Sequence, residues 1–404
     1  MMAFSHRIPS QLAPNRLAAA LAARRRADRP VFDLTESNPT RAGFEYPRDL
    51  LASLASSRGL IYAPEPFGML EARRAIAADY ARRGIRVDPE RVVLTASTSE
   101  AYSLLFKLLV DPGGEVLLPR PSYPLFELLT DLDGVVGRPY DLEYHGAWSI
   151  DFASVERAMT PRTRAVLLVH PNNPTGSFAS REEFERLTKL CGSQDLACIV
   201  DEVFAEYELE PDMARDAASV LAQPDVLTFS LGGLSKAVGL PQMKLGWIVV
   251  AGPERQVRQA LERLEVICDT YLSVSTPVQL AAADLLVRGA AVRAQILTRV
   301  RANYKRLKER GACAPSCHVL AAAGGWYGVV RVPTLRPEEE LVLDLLNRDG
   351  VLVHPGYFFE FPSDSFLVVS LLTPETQFTA GVDRLFEQAA PLEAPGGRGS
   401  MQAS

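Results

Sequence analysis

Short apolar runs recur through the middle of the chain, and amphipathic stretches separate them. Residues 91–95, 115–118, 165–169, 197–200, 226–229 and 245–250 are mostly apolar on successive positions rather than on alternate ones. That pattern predicts short strands covered on both faces. Ser99 to Val110 and Ser180 to Cys191 have the spacing of amphipathic helices. The second opens with Ser180 ahead of Arg-Glu-Glu, an N-cap followed by first-turn acids. Alternating strand and helix predicts an α/β domain with a mostly parallel sheet. In such sheets ligands bind at the loops that leave the strand carboxyl ends.

From Thr276 to Arg310 the pattern becomes helical and rich in Ala, Leu and Arg, long enough to join two domains. Beyond it, 325–332, 351–354 and 366–372 read as strands mixed with helices, a smaller α+β domain. The expected organisation is an N-terminal segment over 1–50 packing on the small domain, a large domain over 51–285, the small domain over 286–390 and a disordered tail over 391–404. No repeat with a period of 20 to 50 residues is visible.

Composition narrows the function. The chain has 404 residues, 47% of them hydrophobic and 23% charged, which is ordinary for a globular protein. Its net charge of -6, with basic residues scattered among acidic ones, argues against a nucleic-acid partner, which needs a concentrated basic face. No run of about 18 apolar residues is present to span a membrane. Five scattered cysteines suggest reduced thiols in a cytoplasm, and Cys313, Cys317 and His318 have no second ligand pair at zinc spacing, so no metal site is expected.

Four loop motifs follow the middle strands: Thr95-Ala-Ser-Thr-Ser-Glu100, His170-Pro-Asn-Asn-Pro-Thr-Gly176, Asp201-Glu-Val-Phe204 and Gly232-Gly-Leu-Ser-Lys236. Small hydroxyl residues opening a helix at Thr98 and Ser99 offer backbone N–H groups to a phosphate. Asp201 ends a buried strand, where a carboxylate needs a cationic partner or takes up a proton. Lys236 sits among Gly and Ser, where an amine can reach a carbonyl carbon and form a Schiff base. Pyridoxal 5'-phosphate has a group for each motif: phosphate, ring oxygen, ring nitrogen and aldehyde.

On these motifs the chain resembles the fold-type I pyridoxal-phosphate enzymes of the class I/II aminotransferase family over roughly residues 30 to 388. The order of the motifs matches, as do the separations of 28 positions from Asn173 to Asp201 and 35 from Asp201 to Lys236. The resemblance implies the type I transferase fold, with a mostly parallel large-domain sheet and a smaller α+β domain. It makes Lys236 the Schiff-base lysine and proton shuttle, and Asp201 the partner of the pyridinium nitrogen that keeps the ring an electron sink. Asn173 would bond the ring oxygen O3', and Tyr123 would stack on the ring. Thr98, Ser99, Ser235 and Lys244 would anchor the phosphate. Tyr62 would reach the cofactor of a neighbouring subunit, which implies a homodimer with shared active sites. His170 has no task in this scheme and is expected to pack structurally.

The sequence departs from the family's pattern in four places. Phe204 stands where many members place a tyrosine that donates to O3'. Lys244 replaces an arginine at the phosphate, losing the bidentate fork. Gly233 replaces a phosphate-binding serine. In the strand Phe366 to Thr373, the position expected for the arginine that clamps the substrate carboxylate falls near Val368, and no Arg or Lys occurs from Asp349 through Asp383. Asn38, Arg41, Arg331 and Tyr357 are the candidates for the substrate pocket, with Arg41 or Arg331 as a relocated clamp.

The expected activity is transfer of an amino group from an amino-acid-type donor to a keto acceptor. A decarboxylase, lyase or cyclase on the same cofactor is the alternative, because the fold does not choose among these reactions. A regulatory protein that has lost activity is disfavoured by the intact Lys236 and Asp201.

Overall fold

The computed structural model describes residues 4–389 except 11, 215, 216, 218, 219, 223 and 364. The tail expected over 391–404 lies outside the described residues. Helix α1 (Arg16–Arg26) starts at Asn15, whose side chain accepts the Ala18 N–H, satisfying a donor that the first turn leaves free. Strand β1 (Phe32–Asp33) pairs in parallel with Val351–Leu352, from the other end of the chain.

The larger unit, which holds the large sheet, is built from α2 (Leu70–Arg82), β2 (Val92–Thr95), α3 (Thr98–Leu109), β3 (Glu115–Arg120), α4 (Phe126–Asp133), β4 (Val136–Tyr144), β5 (Trp148–Ile150), α5 (Phe152–Ala158), β6 (Thr163–Val169), α6 (Arg181–Ser193), β7 (Ala197–Asp201), α7 (Pro211–Ala214), β8 (Thr228–Gly233), α8 (Leu234–Ala237), β9 (Gly246–Ala251) and α9 (Glu254–Tyr271). Its eight strands lie in the order β2-β9-β8-β7-β6-β3-β4-β5. The central strands are parallel, whereas β9 is antiparallel to both β2 and β8, and β5 is antiparallel to β4. Along β6, Ala165, Leu167 and Val169 join one apolar cluster while Val166 and Leu168 join another. Successive strand side chains point to opposite faces, so an unbroken apolar run is what a sheet covered on both sides requires.

Helix α6 begins with a capping box, in which Ser180 Oγ accepts the Glu183 N–H and the Glu183 side chain accepts the Ser180 N–H. The strand expected at 226–229 begins later, at Thr228, and extends through two glycines. Their backbones continue the ladder to β9, with Gly232 opposite Trp247 and Gly233 opposite Gly246. A Cβ on Gly232 would come within 2.4 Å of the Trp247 ring, so glycine keeps the two strands in register.

The 37-residue helix α10 (Thr276–Ala312) runs unbroken from the large sheet to the smaller unit. That unit contains β10 (His318–Val319), β11 (Tyr327–Arg331), α11 (Glu338–Asp344), β12 (Val351–Leu352), β13 (His354–Pro355), β14 (Phe366–Ser370) and α12 (Glu375–Ala389). Four of these strands form an antiparallel sheet in the order β10-β11-β14-β13. Helix α10 packs against α2 at one end and α12 at the other, and α1 packs on α11. Strand β14 stops at Ser370, short of the expected Leu372, where its hydroxyl turns to donate to the Glu36 carbonyl.

Candidate active site

The carboxyl ends of β2, β7 and β8 meet on one edge of the large sheet. Thr95 at the end of β2 lies opposite Gly246, which in turn lies opposite Gly233 at the end of β8. A Cβ on Gly246 would stand 3.0 Å from Ser97 and from Thr95 Oγ1, and one on Gly233 would stand 3.7 Å from Ser235 Oγ. The missing side chains leave a cradle walled by backbone and hydroxyl groups. Ser97 caps α3 by accepting the Glu100 N–H at 3.2 Å. The N–H groups of Thr98 and Ser99, in the helix's first turn, have no acceptor within the helix and suit an anion. Lys244 stands exposed just before β9 with φ of 52°, and Ser235 is half-buried in α8 beside Lys236.

Asp201 ends β7 and is 7% exposed. Its Oδ1 accepts the Val203 N–H at 3.0 Å, and its Oδ2 accepts the Tyr102 hydroxyl at 2.6 Å. Burial raises its proton affinity; the Tyr102 bond, the Val203 N–H and the Lys236 amine work in the other direction. Tyr102 escaped the sequence reading, although it lies one helical turn after Thr98 and so on the same face of α3.

Lys236 sits in α8, the one-turn helix leaving β8. Its Nζ lies 4.8 Å from the centre of the Trp326 ring and 5.6 Å from that of Phe204. Burial lowers the amine to about 8, partly opposed by the nearby Asp201 carboxylate. The Tyr207 hydroxyl donates to the Lys236 carbonyl, and Arg293 reaches the neighbouring Ala237 carbonyl at 3.3 Å. Together they fix the backbone that carries the amine.

Asn173 is 7% exposed, and its Oδ1 has no hydrogen-bond partner among the described residues. Its loop is held by Gly176, whose carbonyl accepts the Ala323 and Gly324 N–H groups at 3.0 and 2.9 Å. Gly176 has φ of 70°, and a Cβ there would strike the Gly324 carbonyl at 2.5 Å. A buried amide oxygen left unpaired costs free energy and calls for a donor, while the N–H2 of the same amide is the kind of donor that a cofactor's ring oxygen accepts from. The hydroxyl-lined cradle, Asp201 and the amine are likewise suited to a phosphate, a protonated ring nitrogen and an aldehyde. The residues present therefore fit pyridoxal 5'-phosphate.

The remaining candidates are spread more widely. Tyr123 is 38% exposed, packs edge-on to Phe126 at 5.8 Å and lies near enough to Asp201 to feel its charge. His170 is buried, with its Nδ1 accepting the Ala179 N–H at 3.1 Å. Tyr62 is 77% exposed and follows the exposed Leu60 and Ile61. Asn38 Oδ1 accepts the Thr40 N–H and hydroxyl at 3.0 and 2.8 Å, and Arg41 is exposed after that turn. Tyr357 is 41% exposed, with its ring against Phe358.

Arg331 does not join the site. It is exposed at the far end of β11, opposite His318 and Phe366. It lies four positions beyond Tyr327, about 13 Å along a strand. Val368, where a clamp was expected, is fully buried opposite Val329 and His354.

The chain is 29% identical over 375 residues to the alanine aminotransferase of Mycobacterium tuberculosis strain H37Rv, covering 88% of this chain and 84% of that one. It is 28% identical over 354 residues to the glutamate-pyruvate aminotransferase AlaA of Escherichia coli K12, covering 84% and 86% of the two chains. The solved alanine aminotransferase of Pyrococcus furiosus shares the fold, with a TM-score of 0.82 over 92% of this chain and 95% of that one, at 24% identity. Residues 30–385 match the Aminotransferase class I and II family, so the chain belongs to that family of pyridoxal-phosphate-dependent enzymes.

Proposed function

We propose that Lys236, Asp201, Asn173 and the Thr98–Ser99 cradle form the catalytic centre of an aminotransferase that works in two half-reactions. An amino donor leaves its nitrogen in the site, and a keto acceptor then collects it. The relatives named for alanine and for glutamate and pyruvate support amino and keto compounds as the substrates. The observation that carries the reading is one amine and one carboxylate brought to the edge of a cradle that Gly233 and Gly246 leave open and hydroxyl groups line.

When bound, pyridoxal 5'-phosphate supplies an aldehyde for covalent capture of amines and a ring that accepts electrons. Lys236 would carry the aldehyde on its Nζ, and once displaced by the donor it would move a proton at the reacting carbon. An amine titrating near 8 can both accept and return a proton close to neutrality. Asp201 would pair with the ring nitrogen, its charge kept by the Tyr102 and Val203 donors. Asn173 would bond the ring oxygen, and Tyr123 would cover the ring. Thr98, Ser99, Ser235 and Lys244 would hold the phosphate.

Exposed Leu60, Ile61 and Tyr62 support a two-fold dimer in which Tyr62 reaches the neighbouring site. The domain limits that go with this reading are 51–285 for the cofactor-binding unit and 286–390 for the small one, with 1–50 packed on the latter. A cytoplasmic setting suits five unpaired cysteines. Borohydride reduction of the loaded protein followed by peptide mapping tests the centre. Label on Lys236 is expected, and label on any other lysine would discard the assignment. Sedimentation of wild type and Tyr62→Ala, with cofactor affinity measured on both, tests the shared site.

A further inference from the structure

Beyond Lys236 the site is lined by aromatic rings. Phe204 and Trp326 flank the amine, and their ring centres are 5.2 Å apart. Tyr327 continues from Phe204 at 6.5 Å, Phe359 from Tyr327 at 6.3 Å, and His354 from Phe359 at 5.7 Å. Trp326 is fully buried beside Lys236, yet its Nε1 has no hydrogen-bond partner among the described residues. Aromatic faces attract ammonium groups and offer nothing to a carboxylate.

Apart from the Lys236 amine, two carboxylates lie beside this wall. Ser370, opposite Tyr327 across β11 and β14, donates its hydroxyl to the Glu36 carbonyl, and the Tyr327 hydroxyl lies within the field of the Glu36 carboxylate. Glu36 is half-buried, its Oε1 accepts the Asn38 N–H at 2.8 Å, and no Lys or Arg pairs with it among the described residues. Asp33, paired with Leu352 two residues before His354, lies near enough for its carboxylate to act on the His354 charge; it accepts the Thr35 N–H and hydroxyl, with Arg25 3.8 Å away on the exposed side. Burial holds His354 toward its neutral form. From Asp349 through Asp383 the chain carries no Lys or Arg, and Val368 closes the wall with a fully buried aliphatic side chain. A substrate carboxylate drawn in here would lose water and gain no cation from β13, β14 or the loop between them, which is unfavourable.

Building on the aminotransferase reading, we propose that the amino donor is a diamine, a dibasic amine that carries no carboxylate. The aromatic wall takes the methylene chain, and Glu36 holds the second ammonium group. In the overall exchange the donor's CH2–NH2 carbon becomes an aldehyde while the acceptor's C=O carbon becomes CH–NH2. Ammonia, two protons and an electron pair pass from donor to acceptor, and the water that supplies the aldehyde oxygen is re-formed at the acceptor.

The test sets diamines of three to six carbons against pentylamine, L-alanine and L-glutamate. Each is titrated calorimetrically into loaded wild type, Glu36→Gln and Glu36→Asp, and then assayed as donor by single-turnover absorbance. Gln keeps the acceptor for the Asn38 N–H but loses the charge, and Asp keeps the charge. The expected result is one diamine binding best, with its preference over pentylamine falling about tenfold in Glu36→Gln, the scale of one charge-assisted hydrogen bond, and being retained in part in Glu36→Asp. A preference for L-alanine or L-glutamate, or diamine binding unchanged in Glu36→Gln, would overturn the proposal while leaving the aminotransferase standing. If no compound reacts and borohydride labels no lysine, the aminotransferase centre itself is wrong.

Discussion

The Tyr102 hydroxyl donates a 2.6 Å hydrogen bond to Oδ2 of Asp201, joining the helix beneath the cradle to the carboxylate at the end of β7. Tyr102 is 2% exposed, so the bond lies out of water, and losing it would leave one buried carboxylate oxygen unsatisfied. Hydrogen bonds to charged groups are worth about 1.5–3 kcal/mol. Tyr102→Phe should therefore raise Asp201's proton affinity further and weaken cofactor binding by roughly tenfold or more. Equilibrium dialysis with the cofactor, read together with its absorbance spectrum, checks this. Unchanged affinity and spectrum would reduce Tyr102 to ordinary packing.

The unloaded Lys236 amine titrates at about 8 because burial disfavours its charged form, with Asp201 opposing that effect. Only the neutral amine attacks a carbonyl. The rate at which unloaded protein captures an aldehyde should climb from pH 7 to 9 and then level off. An ordinary lysine, with its value near 10.4, would keep climbing past pH 10. In Asp201→Asn the opposing charge disappears and the plateau should begin at lower pH.

Phe204 is 4% exposed, meets Trp326 edge-on and has its ring centre 5.6 Å from the Lys236 Nζ. Phe204→Tyr would add a donor at this wall. If that hydroxyl reaches the cofactor's ring oxygen, the bound chromophore should lose its proton at lower pH than in wild type. A spectroscopic titration with superimposable curves would remove Phe204 from contact with the ring oxygen.

Glu338 is 3% exposed and accepts backbone N–H groups from Tyr357, Ser365 and Phe366 at 3.0, 3.1 and 2.9 Å. It pins both ends of the loop between β13 and β14, which carries Phe358 and Phe359. Glu338→Ala leaves these donors without their acceptor and should cost about 3 kcal/mol in urea unfolding. Glu338→Gln keeps one oxygen and should lose less. Equal losses in the two variants would mean that volume, not hydrogen bonding, matters here.

Much of this architecture could be read in the chain. The apolar runs marked the buried strands because a sheet covered on both faces tolerates no alternation, and Ser180 with Glu183 marked the start of α6. The loops at the carboxyl ends of β2, β7 and β8 were legible because their residue types are rare in combination. Partnerships across distant segments were not. Tyr102 reaches a residue 99 positions away, and no local pattern in α3 separates a tyrosine with such a partner from one that only packs. Arg331 illustrates the reverse failure: an arginine at the end of an apolar run resembles a clamp until the strand's length carries it away from the lysine. The β4–β5 hairpin was missed because β4 is half exposed and its apolar pattern is weak.

Helix α10 crosses between the two units as a single rod of 37 residues, about 55 Å long at 1.5 Å per residue. Such a rod does not bend sharply without a proline or an inserted side chain, and its only proline, Pro277, lies in the first turn. If the smaller unit tilts toward a ligand, the pivot must therefore lie at the ends of this rod or in the glycine pair Gly324–Gly325 ahead of β11. The aromatic rings just past those glycines would swing with it, closing over whatever the lysine holds.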